Sequence, residues 1–223
     1  MAAVPSRRGV GGVEWEERRE EMSWFFAAAY DPFMRKSERA CLADWRRDLL
    51  APLSGAVLEI GAGTGANIAY YPNTLERLVL VDADEHMLAR LRRRPEAARA
   101  EVVRASADEL PFEDGSFDAV VSTLVLCSVP DPSKTLAEVR RVLRRSGVLV
   151  FLEHVAADDP SRLRWQERIE PFWSRIAGNC HLTRDTSQAI ERAGFAIERL
   201  TKESMRKALP IVRPTVRGVA KRT

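Results

Sequence analysis

The chain has 223 residues, 45% hydrophobic and 30% charged, with a formal net charge of +3. Those proportions describe an ordinary soluble globular protein, long enough to bury a full α/β core. No apolar run reaches the roughly eighteen residues a membrane-spanning helix needs, and the near-neutral charge excludes a strongly basic nucleic-acid binder.

Residues 1–12 are basic and Gly-rich without the apolar stretch of a signal peptide, and read as a disordered tail. Residues 13–52 read as a helical N-terminal cap and 53–223 as the main domain. Within the cap, Val13 to Ala29 has helical spacing. Asp31-Pro32 is a predicted break, and Ser37 a predicted N-cap for a second helix to Leu50. Strands and helices then alternate. Ala56 to Ile60, Arg77 to Val81, Ala100 to Arg104, Ala119 to Ser122 and Val148 to Leu152 are short apolar runs. Helices are predicted from Ala66 to Tyr70, from His86 to Arg93 and from Pro132 to Arg144, the last closed by Gly147 in a left-handed position. Asp159-Pro160 opens a helix whose apolar stripe includes Trp165, Phe172, Trp173 and Ile176, and Thr183 caps another that ends at Gly194. Phe195 to Leu200 and Thr215 to Ala220 read as two last strands. The pattern predicts a central, mostly parallel seven-stranded sheet with helices on both faces, closed by an antiparallel pair.

The sharpest motif is Glu59-Ile60-Gly61-Ala62-Gly63-Thr64-Gly65, at the end of the first strand. Glycines let backbone approach a ligand closely. Gly61, Gly63 and Ala66 also satisfy the looser dinucleotide fingerprint, so the glycines alone do not choose a cofactor. Glu59 favours a cationic group, such as the ammonium of a methionine moiety, over a pyrophosphate. Asp82 ends the second strand, placed to accept hydrogen bonds from two ribose hydroxyls. Ser106-Ala107-Asp108 follows the third strand, where an adenine edge would lie, although Asp108 also reads as a helix cap. Tyr30 either closes over the cofactor or packs in the core.

Taken together, these segments resemble the class I methyltransferases of the type 11 group, which use S-adenosylmethionine and release S-adenosylhomocysteine. The first motif is similar to theirs. So are Val81-Asp82-Ala83-Asp84-Glu85-His86-Met87, Leu110-Pro111-Phe112 with Phe117-Asp118-Ala119-Val120, and Arg141-Val142-Leu143 before Gly147. The resemblance implies a Rossmann-like fold and a cofactor site that includes Tyr30, Glu59, Gly61, Ala62, Gly63, Thr64, Gly65, Asn67, Asp82, Ala83, Met87, Ser106, Ala107 and Asp108. This chain has Ser106 where the family often has an aspartate, and Arg145-Ser146-Gly147 where it often has Pro-Gly-Gly.

A narrower likeness rests on Gly65-Ala66-Asn67, Thr123 to Val129, Glu153-His154, Leu182-Thr183-Arg184 and the spacing of Trp165, Gln166, Pro171 and Trp173. These segments are similar to the subgroup that contains the mammalian microsomal thiol methyltransferases. That likeness implies a small, fairly apolar acceptor, a thiol foremost. Phospholipid or quinone-type methylation is the alternative, and outside that class stand a non-catalytic cofactor-binding protein and a dinucleotide oxidoreductase. The mammalian relatives begin with a hydrophobic segment that this sequence does not show, so a cytoplasmic location is expected.

On the acceptor side, His154 reads either as a base or as a side chain that orients a loop. Cys127, Trp165, Phe172 and Trp173 are expected to wall the acceptor pocket, the aromatic residues as a lid. Cys41, Cys127 and Cys180 have no metal-type spacing and read as reduced thiols; His181 beside Cys180 reads as structural, and no metal site is expected. The basic C-terminal stretch, with Lys202, Arg206, Lys207, Arg213, Arg217, Lys221 and Arg222 against Glu203, carries no interleaved aromatic residue to stack a base. It is expected to be a solvated strand face, not a nucleic-acid surface.

Overall fold

A computed structural model describes residues 27–223. The tail and most of the first predicted helix lie outside these residues. Helix α1 (27–37) runs into a π-helical turn (Glu38–Leu42) and then α2 (Ala43–Leu50). The predicted break at Asp31-Pro32 does not occur. Ser37 has helical backbone angles and makes no side-chain cap. Tertiary contacts override the local signals: Thr64 Oγ1 donates to Asp31 Oδ1 at 2.6 Å, which ties α1 to the glycine-rich loop.

Seven strands form one sheet: β1 (Ala56–Ile60), β2 (Arg77–Asp82), β3 (Glu101–Arg104), β4 (Phe117–Thr123), β5 (Leu143–His154), β6 (Phe195–Ser204) and β7 (Pro214–Arg222). Their order is β3-β2-β1-β4-β5-β7-β6. The first five are parallel, and β7 pairs antiparallel with both β5 and β6. The remaining helices are α3 (Glu85–Leu91), α4 (Pro132–Val142), α5 (Pro160–Ile176) and α6 (Thr186–Arg192).

Alternation along the strands explains the two cores. Leu58, Ile60, Leu149 and Phe151 pack on one face with Leu136 and Val139 of α4 and Ile190 of α6. Val57, Val150 and Leu152 pack on the other with Leu42 of the π turn, Trp45 and Leu49 of α2, and Leu88 and Leu91 of α3.

Three local expectations are corrected. No α-helix follows β1; a 3-10 turn (Ile68–Tyr70) takes its place. Gly61, Gly63 and Gly65 have φ of 59°, 55° and 83°, which keeps the chain out of helical geometry until Ile68, and extended Tyr71 before Pro72 then ends it. Gly147 is not a left-handed helix cap. Leu143 is already extended when α4 ends, and Gly147 lies within β5, where an added Cβ would meet Leu143 Cδ2 at 2.9 Å and Arg144 O at 3.0 Å. The cap of α6 is Asp185, which accepts from Gln188 N, not Thr183.

Three of the seven basic residues in the C-terminal stretch are paired with carboxylates in place. Lys202 pairs with Asp158, Arg217 with Glu203 and Asp48, and Lys221 with Glu198. Gly218 of β7 lets β6 bulge against it: a Cβ there would lie 2.0 Å from Arg199 O and 2.8 Å from Phe151 Cζ. Gly218→Ala is therefore expected to destabilise the fold by about 2–3 kcal/mol. Denaturant unfolding checks this, and an unchanged midpoint would contradict the packing described.

Candidate active site

In the strand order, consecutive connections leave in opposite directions from β1 and β4. A crevice opens there beyond the strands' C-terminal ends, where open α/β sheets collect ligands. A cavity of about 590 Å³ occupies it, within the usual range of roughly 300–1,000 Å³ for small-molecule sites. Of the residues singled out from sequence, Tyr30, Glu59, Gly61, Ala62, Gly63, Thr64, Asp82, Ala83, Met87, Ser106, Ala107, Asp108, Cys127, His154 and Trp173 line it.

Glu59, next to the last residue of β1, is almost fully buried, 2% exposed. Its Oε1 accepts from Asn67 Nδ2 and its Oε2 from the Tyr71 hydroxyl, both at 2.8 Å. Asn67 Oδ1 in turn accepts from Arg46 at 2.6 Å, and Arg46 also pairs with Glu38 at 2.8 Å. The Arg46 guanidinium thus pairs directly with Glu38 and reaches Glu59 only through the Asn67 amide. Burial pushes the Glu59 carboxyl up to about 7, against hydrogen bonds from Tyr71 and Asn67 that lower it. A cationic ligand group at this end of the cavity would settle that balance.

Asp82 ends β2. One oxygen accepts from Gly63 N and the other from Asp84 N, each at 2.8 Å. Burial raises its carboxyl, and the backbone donors act against this. The carboxylate therefore shapes the glycine loop and keeps lone pairs for a ligand's hydroxyl groups. Asp84 caps α3 by accepting from His86 N and Met87 N. Asp108 makes no helix cap; it accepts from the Thr135 hydroxyl while its own N–H donates to Ser106 Oγ.

Gly65 and Asn67 do not line the cavity. Gly65 packs against Leu91 and Arg94, and Asn67 is completely buried behind Glu59, which it positions. Arg46 was missed from sequence, although Leu42, Arg46 and Leu50 recur every four residues on one buried stripe.

The other end of the cavity is built around β4 and β5. Buried Glu153 accepts from Ser122 Oγ, Val125 N and Cys127 N, and so holds the turn after β4. His154 ends β5. It does not orient a loop through the backbone: its Nδ1 lies 3.5 Å from Cys180 Sγ, and Nε2 has no partner among the described residues. Cys180 Sγ lies 3.8 Å from Cys127 Sγ. The Cys180 bond and then burial push the Cys127 thiol up, while the bond from Cys127 lowers Cys180. The first proton therefore leaves this pair more easily than the second.

Helix α5 corrects the lid expectation. Trp165 and Phe172 point to solvent, 58% and 64% exposed, and neither lines the cavity. The inward side is set by polar clamps instead. Gln166 donates to Val155 O and Ile211 O and accepts from Ala157 N. Glu170 accepts from Leu182 N, Thr183 N and Oγ1, and His181 Nδ1. Those bonds turn Trp173 and Ile176 to the cavity and give His181 a structural partner.

Residues 58–151 match the Methyltransferase domain family. The human thiol S-methyltransferase TMT1B is 41% identical over 165 residues, 68% of this chain and 67% of that protein; human TMT1A is 35% identical over 203 residues, 87% and 82%. A phosphatidylethanolamine N-methyltransferase of Cereibacter sphaeroides is 30% identical over 153 residues, 67% and 68%. Among solved structures, a SAM-dependent methyltransferase of Thermotoga maritima, titled a possible histamine N-methyltransferase, superposes with a TM-score of 0.67. It is 21% identical and covers 91% of this chain and 99% of that one. The fold, the crevice and these relatives together establish that this chain belongs to the class I S-adenosylmethionine-dependent methyltransferases, close to the thiol S-methyltransferase subgroup.

Proposed function

We propose that the enzyme methylates a small, fairly apolar thiol, with S-adenosylmethionine lying along the crevice from β3 to β4. The observation that carries this reading is the separation of charge from the acceptor end. Glu59, Asp82, Asp84 and Asp108 sit on the β1–β3 side. The β4–β5 side offers Cys127, Val129, Trp173, Ile176, Cys180 and His154, with no carboxylate among these lining residues. Asp82 and His154 end strands three positions apart, or roughly 14 Å at the usual spacing. That span suits a nucleoside at one end and an acceptor at the other.

When bound, the cofactor supplies an electrophilic methyl group on a sulfonium. The chain's own residues do the rest. Glu59 holds the ammonium, Asp82 the ribose hydroxyls, and the 106–108 turn the adenine edge. Trp173 and its apolar neighbours exclude water from the acceptor, which strengthens the nucleophile. A cysteine-type thiol ionises near pH 8.5, below the roughly 10 of a phenol or an alkylammonium, so it needs less base catalysis than either.

A panel of alkyl thiols, phenols, amines and phosphatidylethanolamine vesicles tests the assignment, with products identified by mass. Methyl thioethers should dominate; efficient transfer to phenol, amine or lipid with thiols inert would refute it. Trp173→Ala should raise the thiol's KM several-fold with kcat nearly unchanged, because its contact is made equally before and during transfer. A fall in kcat at constant KM would assign the indole a different part.

A further inference from the structure

Cys127, His154 and Cys180 come from the turn after β4, the end of β5 and the segment after α5, and they converge at the acceptor end of the cavity. One ligand atom from each lies within 4.8 Å of the other two. All three are buried, with exposures of 1%, 9% and 6%. We propose that they form a binding site for a zinc-type divalent cation, with a fourth position open to the acceptor.

The spacing supports this. A tetrahedral zinc with Zn–S near 2.3 Å and Zn–N near 2.0–2.1 Å places two sulfurs about 3.8 Å apart, and a sulfur and a nitrogen about 3.5 Å apart. The two thiols stand 3.8 Å apart and His154 Nδ1 stands 3.5 Å from Cys180. These separations are far from a disulfide, which needs about 2.05 Å between sulfurs. Two thiolates and one imidazole is also a donor set that zinc uses where it keeps an open position for substrate.

The surroundings hold the ligands still. Glu153 fixes the Cys127 backbone N–H, Cys127 O accepts from His181 N at 2.8 Å, and Asn179 Nδ2 donates to Ser128 O at 2.7 Å. With Nδ1 on the cation, His154 keeps its hydrogen on Nε2. That atom and Trp173 Nε1 are both buried and lack a partner among the described residues, and both residues line the cavity.

The metal site stands on these side chains alone. The identity of its fourth ligand rests on the thiol reading above. A thiol entering that position loses its proton to solvent and binds as thiolate. A sulfur lone pair then forms the new bond to the methyl carbon, the bond from that carbon to the cofactor's sulfonium breaks, and its electron pair returns to the cofactor as a neutral thioether.

The test uses the whole chain, stripped of metal and kept reduced with a phosphine, because a dithiol would both chelate the metal and act as an acceptor. Titration with cobalt(II) should show one equivalent binding tetrahedrally, with a thiolate-to-cobalt charge-transfer band that zinc(II) abolishes. Cys127→Ser and Cys180→Ser should each remove about half of that band. His154→Gln should keep the band and weaken binding at least about tenfold. Cys41→Ser, at a cysteine that contacts Ser37 and Arg206 instead, should change nothing. Absence of the band in the wild-type protein, or its survival at full intensity in Cys127→Ser, overturns the site.

Calorimetric binding of S-adenosylhomocysteine by each variant shows that the variant is folded. An alkyl thiol added to the cobalt form without cofactor should raise the band by about half. Methylation of thiols with no such rise refutes only the fourth ligand. A rise with no methylation refutes only the thiol reading.

Discussion

Asp82→Ala is expected to weaken S-adenosylmethionine binding by roughly 2–4 kcal/mol, or about 30-fold to 1,000-fold in dissociation constant. Two effects add. The ribose loses the carboxylate proposed to accept from both hydroxyls, each charge-assisted bond being worth roughly 1.5–3 kcal/mol before compensation by water. Gly63 N and Asp84 N also lose their acceptor, so the loop between β1 and the 3-10 turn loosens where backbone must lie against the cofactor. Calorimetry with the wild type and variant side by side measures the difference. A change under about 0.5 kcal/mol would place the ribose elsewhere.

The second large effect concerns Glu59 and pH. Its carboxyl, raised to about 7 by burial, is mostly protonated below that value in the free enzyme, yet it can pair with an ammonium only when ionised. Affinity for the cofactor should therefore rise with pH up to about 7, by up to tenfold per unit. It should level off there and weaken once the cofactor's own amine, with a pKa of about 7.7–8.0 in the free amino group, loses its charge. At pH 6 binding should release close to one proton, read from calorimetry in buffers of different ionisation enthalpy. Glu59→Gln should abolish both the release and the slope; the same slope in that variant would contradict the assignment.

The same linkage acts on stability. The folded state holds the Glu59 proton more tightly than the unfolded state, so it binds more protons between about pH 4.5 and 7, and the free enzyme loses stability as pH rises through that window. The full effect is about 3 kcal/mol, and the bound cofactor should offset it.

Much of this was legible in the sequence because strand ends are legible. A short apolar run followed by a carboxylate or by glycines marks where a parallel strand leaves the sheet. Glu59, Gly61, Asp82, Cys127 and His154 all reach the crevice for that reason. What failed depended on contacts between distant segments. Trp165 and Phe172 have the spacing of a buried stripe, but Gln166 and Glu170 find backbone partners on residues 155–157, 182–183 and 211, and these decide which way α5 faces. The cluster of Cys127, His154 and Cys180 has no local spacing at all, since its members come from the turn after β4, the end of β5 and the segment after α5. Arg46 was visible as a charge at a core position, but its purpose appears only with Glu38, Asn67 and Thr123 around it.

The most direct measurement is a calorimetric titration of the purified chain with S-adenosylmethionine, S-adenosylhomocysteine and a nicotinamide dinucleotide. One equivalent of each of the first two should bind with a dissociation constant of the order of micromolar, and the dinucleotide should give no heat. Binding of the dinucleotide with silence from both sulfur compounds would contradict the site described around Glu59 and Asp82.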